Sequence, residues 1–306
     1  MPVLTELSED VRSGLLEKSA TKTLDKSLFA LFPKNIELWM TYLAQAHPWL
    51  SEAENLRNRA AFSDIVEEIN RQLSFRIART ISERCPNWLT QLVTKWHKTQ
   101  TPVLTLNYDT LVERCAGRNR DIYSVPLTPA FMRTTGIATD GRKQSFTLHK
   151  LHGSMNWFYS GASDPTGETI YYLQASRWEN VPPSSLWEGT ASDKVPFIVP
   201  PLSEKGIFFQ HETVRSMWRQ AGDALELADR VFILGYSLPQ TDLTMQYFLT
   251  NKFRAGQQTF FLVNTDNTVS ERFKKLFGDN LTFNLDFVGV PNPIPDFVER
   301  YVSGKL

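Results

Sequence analysis

The chain has 306 residues, 42% hydrophobic and 12% aromatic, enough to bury a substantial core and to exclude a disordered polypeptide. Lys plus Arg and Asp plus Glu number 33 each, so no global field draws the protein to nucleic acid or to an anionic membrane. Two cysteines are too few for a disulfide framework or a four-cysteine zinc site. No apolar run reaches the roughly 18 residues of a membrane span, and the N-terminus lacks both a basic start and an apolar signal core. The expectation is a soluble, reduced, cytoplasmic protein with no nucleic-acid or membrane partner.

Residues from about 24 to 98 carry helical patterning without a convincing strand. In 35–47 (NIELWMTYLAQAH), Ile36, Trp39, Met40 and Leu43 recur at helical spacing, and Asn35 can cap them. The next helix, 51–84, opens on a Ser-x-x-Glu capping box from Ser51 to Glu54. It keeps Phe62, Ile65, Val66, Ile69, Leu73, Ile77 and Ile81 on one stripe. Pro86 stops it, and 87–98 add a shorter helix.

Beyond residue 100 short apolar strands alternate with helices. TPVLTLN (101–107) reads as a buried strand before a helix at 109–116, and SFTLHKLHG (145–153) as another strand. Strand-like runs follow at 169–173 and 195–200, with 160–195 a long surface excursion rich in Gly, Ser, Pro and Trp. A helix near 211–228 leads to a strand at 229–237, a helix at 241–253, a strand at 257–266, a helix at 269–277, a strand at 281–290 and a last helix near 294–303. Such alternation predicts an α/β fold: right-handed crossovers, a mostly parallel sheet and helices on both faces. Ligands in such sheets bind beyond the carboxyl ends of the strands. There is no internal repeat and no low-complexity segment.

The strand ends are polar. VLTL ends in Asn107-Tyr108-Asp109, LHKL in His152-Gly153-Ser154, VFIL in Gly235-Tyr236-Ser237, and FFLV in Asn264-Thr265-Asp266. If the strands are parallel, these tips share one edge of one sheet and form the mouth of a nucleotide-sized crevice. Each residue also has a plainer reading. Asp109 heads a helix, where an acid caps and complements the dipole. Gly235 can simply permit a tight turn or close backbone approach, or precede a phosphate-binding helix N-terminus. Asn264 and Asp266 are common turn formers, and a histidine after a strand is often structural.

A metal at His152 is disfavoured by spacing. His149 lies three residues back, on the opposite face of an extended strand. His47, His97 and His211 show no ligand spacing. The chain contains no G-x-S-x-G elbow, P-loop or G-x-G-x-x-G.

TLNYDTLVE, KLHGSMNW, VFILGYSLPQTD and FFLVN, in this order, closely resemble the sirtuin-like (silent information regulator-like) superfamily. The likeness is to its bacterial branch rather than to the protein deacetylases. It covers roughly residues 101–290, and the helical stretch before it more loosely resembles an insertion of that branch. The resemblance implies a single Rossmann-like domain over 1–306, with a helical module at 24–98, that takes NAD as substrate and cleaves its nicotinamide–ribose bond. By position, Asn107 and Asp109 match the family's residues around the nicotinamide ribose and carboxamide, and His152 matches its catalytic histidine. Gly235, Ser237 and Asn264 fall where the family contacts the adenosine side. In that branch NAD hydrolysis often serves antiphage defence, with a homo-oligomer or a separate effector protein as partner.

Two departures qualify the likeness. The deacetylases carry a four-cysteine zinc module that two cysteines cannot build, so no zinc is expected and protein deacylation is disfavoured. The family also opens with a strand and a Gly-Ala-Gly-x-Ser type loop that cradles pyrophosphate. MPVLTELSEDV resembles the segment just after that loop, so the first strand and the Gly-rich loop are expected to be absent here. A truncated NAD hydrolase is one consequence; a catalytically impaired nucleotide-binding or interaction protein is the alternative.

Overall fold

The structure, a computed structural model, describes residues 4–17, 36–81, 85–118, 145–159, 170–172, 195–202, 211–254 and 256–306. In chain order these form α1 (Leu4–Glu17), α2 (Ile36–Ala44), α3 (Glu52–Ile81), α4 (Asn87–Thr99), β1 (Val103–Thr105), α5 (Leu111–Arg118), β2 (Leu148–Lys150), β3 (Gly153–Tyr159) and β4 (Tyr171–Tyr172). Then come β5 (Val195–Ile198), α6 (Glu212–Glu226), β6 (Arg230–Leu234), α7 (Leu243–Lys252), β7 (Thr259–Asn264), α8 (Val269–Phe277), β8 (Phe283–Val288) and α9 (Pro293–Val302). Most of the surface excursion expected at 160–195, the proposed cap Asn35, and the side chains of Ile77 and Ile81 lie outside the described residues. Two compact units result. One takes Met1–Arg84, Leu106–Thr110 and His152–Phe208; the other takes Cys85–Thr105, Leu111–Leu151 and Phe209–Leu306.

The first unit is built on the helical periodicity of its sequence. Leu7, Val11 and Leu15 of α1, Ile36, Trp39, Met40 and Leu43 of α2, and Ala61, Ile65, Ile69 and Leu73 of α3 bury themselves in one cluster. Each of the larger side chains contributes about 1.5–3 kcal/mol by leaving water. The capping box forms: Ser51 N donates to Glu54 Oε2 at 2.7 Å, and Glu54 N to Ser51 Oγ at 3.3 Å. That reciprocal pair starts α3 at Glu52. The same cluster takes in Tyr108, Met155, Ile198 and Leu202.

Strand β3 pairs antiparallel with β4 and with β5. This corrects the strand anticipated over 145–153. Strand β2 ends at Lys150, Leu151 and His152 make a turn, and β3 starts at Gly153 with φ +79°. A side chain cannot adopt that φ without strain, so the glycine is where the chain changes direction.

The second unit carries the parallel pairing. Strands β6, β7 and β8 run side by side, Arg230 opposite Thr259 through Leu234 opposite Val263, while β1 pairs in parallel with β2 in a separate two-stranded sheet. The strand tips therefore do not share one edge of one sheet, as alternation alone suggested: β1 and β2 pair with each other, and β6 with β7. Phe260 meets Phe283, which meets Phe273 of α8. Its neighbour Phe261 meets Phe232, which meets Phe297 and Tyr301 of α9. Adjacent strand residues point to opposite faces, so α8 covers one face of this sheet and α9 the other. An irregularity between Phe261 and Val263 puts an extra residue into β8. That shift of parity sends Phe283 to the α8 face and Phe287 to Phe297 of α9. Parallel strands with helices on both faces make the fold α/β and Rossmann-like in arrangement.

Helix α4 packs against α5 and α9. The helical stretch read over 24–98 thus contributes α2 and α3 to one unit and α4 to the other. Cys85 and Cys115, 30 residues apart, are joined in a disulfide with Cα atoms 5.9 Å apart. The expected reduced pair is corrected: packing of α4 on α5 brings together two cysteines whose spacing said nothing of proximity. Among the described residues no helix is long and apolar enough to cross a membrane.

Candidate functional site

In the first unit, Asn107-Tyr108-Asp109 and His152-Gly153-Ser154 are brought together. Tyr108 is the link. Its hydroxyl donates to the Val199 carbonyl at 2.6 Å, and its own carbonyl accepts from Met155 N at 3.0 Å and from Ser154 Oγ at 3.3 Å. Val199 N donates back to the His152 carbonyl at 2.8 Å. The imidazole of His152 faces the Tyr108 ring, and the residue as a whole is 8% exposed. Asn107 is exposed and Asp109 half-buried, on either side of the anchored tyrosine. Gly153 is confined twice over: besides its φ, a Cβ there would stand 2.3 Å from the Phe197 carbonyl oxygen. The Gly in the HGS segment therefore serves the backbone and leaves the chemistry to its neighbours.

Because His152 lies in a turn, it does not share an extended strand with His149, and strand parity no longer separates the two. Among the described residues no group of three His, Cys, Asp or Glu could hold a metal ion.

Strand β2, which leads into this turn, is anchored inside the second unit. Lys150 Nζ lies 2.9 Å from Glu113 Oε1 of α5, both side chains almost completely buried. His149, 3% exposed, is pushed down to about 4 by burial, which the Met217 carbonyl partly opposes, so it is neutral at pH 7. It is a core histidine.

The other three candidates lie in the second unit, after β6 and at the end of β7. Gly235 has φ +71°, and its N–H continues the strand pairing to Val263 O at 2.8 Å. Among the described residues a Cβ there would meet Ile294 Cδ1 at an ordinary 3.9 Å, so backbone conformation selects this glycine. The helix N-terminus behind it, α7, is capped by Asp242, which accepts from Met245 N at 3.5 Å and from the Tyr236 hydroxyl at 3.1 Å. A carboxylate there opposes a bound phosphate. Asn264 Oδ1 accepts from Asp266 N at 2.9 Å and its Nδ2 donates to Tyr236 O at 3.4 Å, which is the turn-forming role. The Ser237 carbonyl accepts from Arg272 Nε at 2.7 Å.

Sequence reasoning missed Arg272. It holds the Ser237 carbonyl, Thr268 Oγ1 and the Asp266 carboxylate together. Arg272 and Thr268 hold the Asp266 carboxyl down at about 2. Tyr108 was missed as the anchor of its segment. Its flanking polar residues drew notice, and nothing in the spacing announced a hydrogen bond to residue 199.

No family model matches the sequence, and no curated protein matches it. Among solved structures the chain is similar to one described as the structural basis of sirtuin substrate affinity, at 17% identity and TM-score 0.40, over 76% of this chain and 75% of that one. It is also similar to a Sir2 protein in complex with the inhibitor EX-527, 2'-O-acetyl-ADP-ribose and a deacetylated p53 peptide. There the identity is 18% and the TM-score 0.42, over 80% of this chain and 82% of that one.

Proposed function

We propose that the protein binds NAD as substrate and hydrolyses its nicotinamide–ribose bond, releasing nicotinamide, ADP-ribose and a proton. The observation that carries this reading is the Tyr108 anchor, which sets His152 beside the segment bearing Asn107 and Asp109. Nicotinamide departs from a cationic pyridinium without needing protonation, so the protein's task is to hold the ribose, orient water and tolerate positive charge. His152 takes the proton from water or from a ribose hydroxyl, Asn107 orients the nucleophile, and Asp109 bonds the carboxamide or favours the developing cation. Gly235, Ser237 and Asn264 are assigned to the adenosine side, with the Ser237 backbone held in place by Arg272. Depletion of NAD by such an enzyme would serve defence against phage.

The test is nicotinamide release from NAD by the full chain, followed by chromatography, in wild type and His152→Ala. Release by wild type that collapses in the variant supports the reading; equal release removes His152 from the chemistry. A second reading is favoured by the Asp242 cap, which places a carboxylate where a phosphate-binding helix start would be useful. In that reading the protein binds NAD weakly without cleaving it, and calorimetry would show binding with no nicotinamide released.

A further inference from the structure

A cavity of about 530 Å³ opens along α6, walled by Glu212, Arg215, Trp218 and Arg219. These positions stand three, six and seven residues from the first, which puts them along one face of the helix. Its volume falls in the range of roughly 300–1,000 Å³ typical of small-molecule sites. Trp218 is fixed in place: its Nε1 donates to the Leu151 carbonyl at 3.1 Å, and its ring meets Phe248 edge to face with centroids 5.0 Å apart. Arg215 and Arg219 are exposed, one helical turn apart. Among the described residues neither guanidinium makes an ion pair.

A pair of guanidiniums with uncommitted forks suits a phosphate, and a pre-positioned indole suits a flat heterocycle. We propose that this cavity binds a nucleoside phosphate, the phosphate on Arg215 and Arg219 and the base against Trp218. None of these residues is among those assigned to NAD, so the site stands independently of the hydrolase reading.

Calorimetry on the full chain tests it, with ADP and inorganic phosphate as separate probes. The variants are Arg215→Ala/Arg219→Ala, Trp218→Leu and Asn264→Ala. Both arginines are exposed, so the double variant keeps the fold. ADP affinity should fall at least about tenfold in it, as expected for losing charge-assisted hydrogen bonds, and should survive in Asn264→Ala. Trp218→Leu should weaken ADP and leave phosphate unchanged. The proposal is overturned if wild type binds no ADP, if the double arginine variant matches wild type, or if loss is confined to Asn264→Ala. Phosphate binding as tight as ADP and indifferent to Trp218 overturns the nucleoside part.

Discussion

The rings of Tyr108 and His152 face each other with centroids 6.4 Å apart and planes tilted by 33°. Around that contact a circuit of hydrogen bonds closes, from the Tyr108 hydroxyl to Val199 O and from Val199 N to His152 O. The circuit fixes the backbone of His152 beside the Tyr108 ring, which is the preorganisation of position that a general base needs.

Replacing His152 with alanine should lower nicotinamide release by about 10²–10⁴-fold, the usual share of a general base. Unfolding by urea should change little, because the circuit around His152 uses its carbonyl and not its ring. A turnover ratio near one would remove the catalytic role.

Gly153→Ala should destabilise the protein by about 1–3 kcal/mol or more. The cost comes from φ +79° and from the Phe197 carbonyl 2.3 Å from the new Cβ. The measurement is the urea midpoint, and an unchanged midpoint would mean that the turn adopts another conformation. Gly117, where an added Cβ would meet nothing within 4 Å among the described residues, is the control, and there Gly117→Ala should be tolerated.

The buried Lys150 and Glu113 pair should be far more sensitive to single than to double substitution. Glu113→Ala removes the carboxylate that Lys150 Nζ meets at 2.9 Å, and breaking a buried pair from one side costs about 3–5 kcal/mol. Lys150→Met with Glu113→Leu removes both charges and should recover most of that loss. A double variant as unstable as the single one would show that shape, and not charge, holds β2 to α5.

His149 gives the protein an acid-sensitive core. Its folded value is near 4, below the ordinary 6.5, so the unfolded chain binds the proton more readily. Its contribution is fully present above about pH 6.5, falls as pH drops toward 4, and is level below that. Thermal midpoints measured between those limits should decline in wild type and decline less in His149→Phe. Parallel slopes would assign the acid sensitivity to other groups.

Alkylation of the unfolded, unreduced protein should label neither Cys85 nor Cys115, and both should react after a dithiol is added. Opening the bridge, which spans 30 residues, should lower stability by about 2–4 kcal/mol. Full labelling without reductant would show the pair to be open thiols.

The helices were legible because their period of 3.6 forces Ile36, Trp39, Met40 and Leu43, or Ile65, Ile69 and Leu73, onto one side whatever they meet. The Ser51 and Glu54 box was legible for a similar reason: its partners lie within one turn of chain. The parallel strands after residue 229 could be read from buried runs such as FFLV, which only a sheet covered on both faces accommodates.

Other features required the fold. The break at Leu151 and His152 is invisible in SFTLHKLHG, because the residue that makes it, Gly153, turns on the approach of Phe197, 44 residues away in sequence. The bridge from Cys85 to Cys115, the grip of Arg272 on Ser237, and the bond from Tyr108 to Val199 share that character. Motifs nominated His152, Asn107 and Asp109 as candidates. Local periodicity is written in neighbouring residues, so the chain alone determined its elements and their apolar faces. Long-range contacts depend on how those faces pack, so only the tertiary structure decided that His152 stands in a turn against Tyr108.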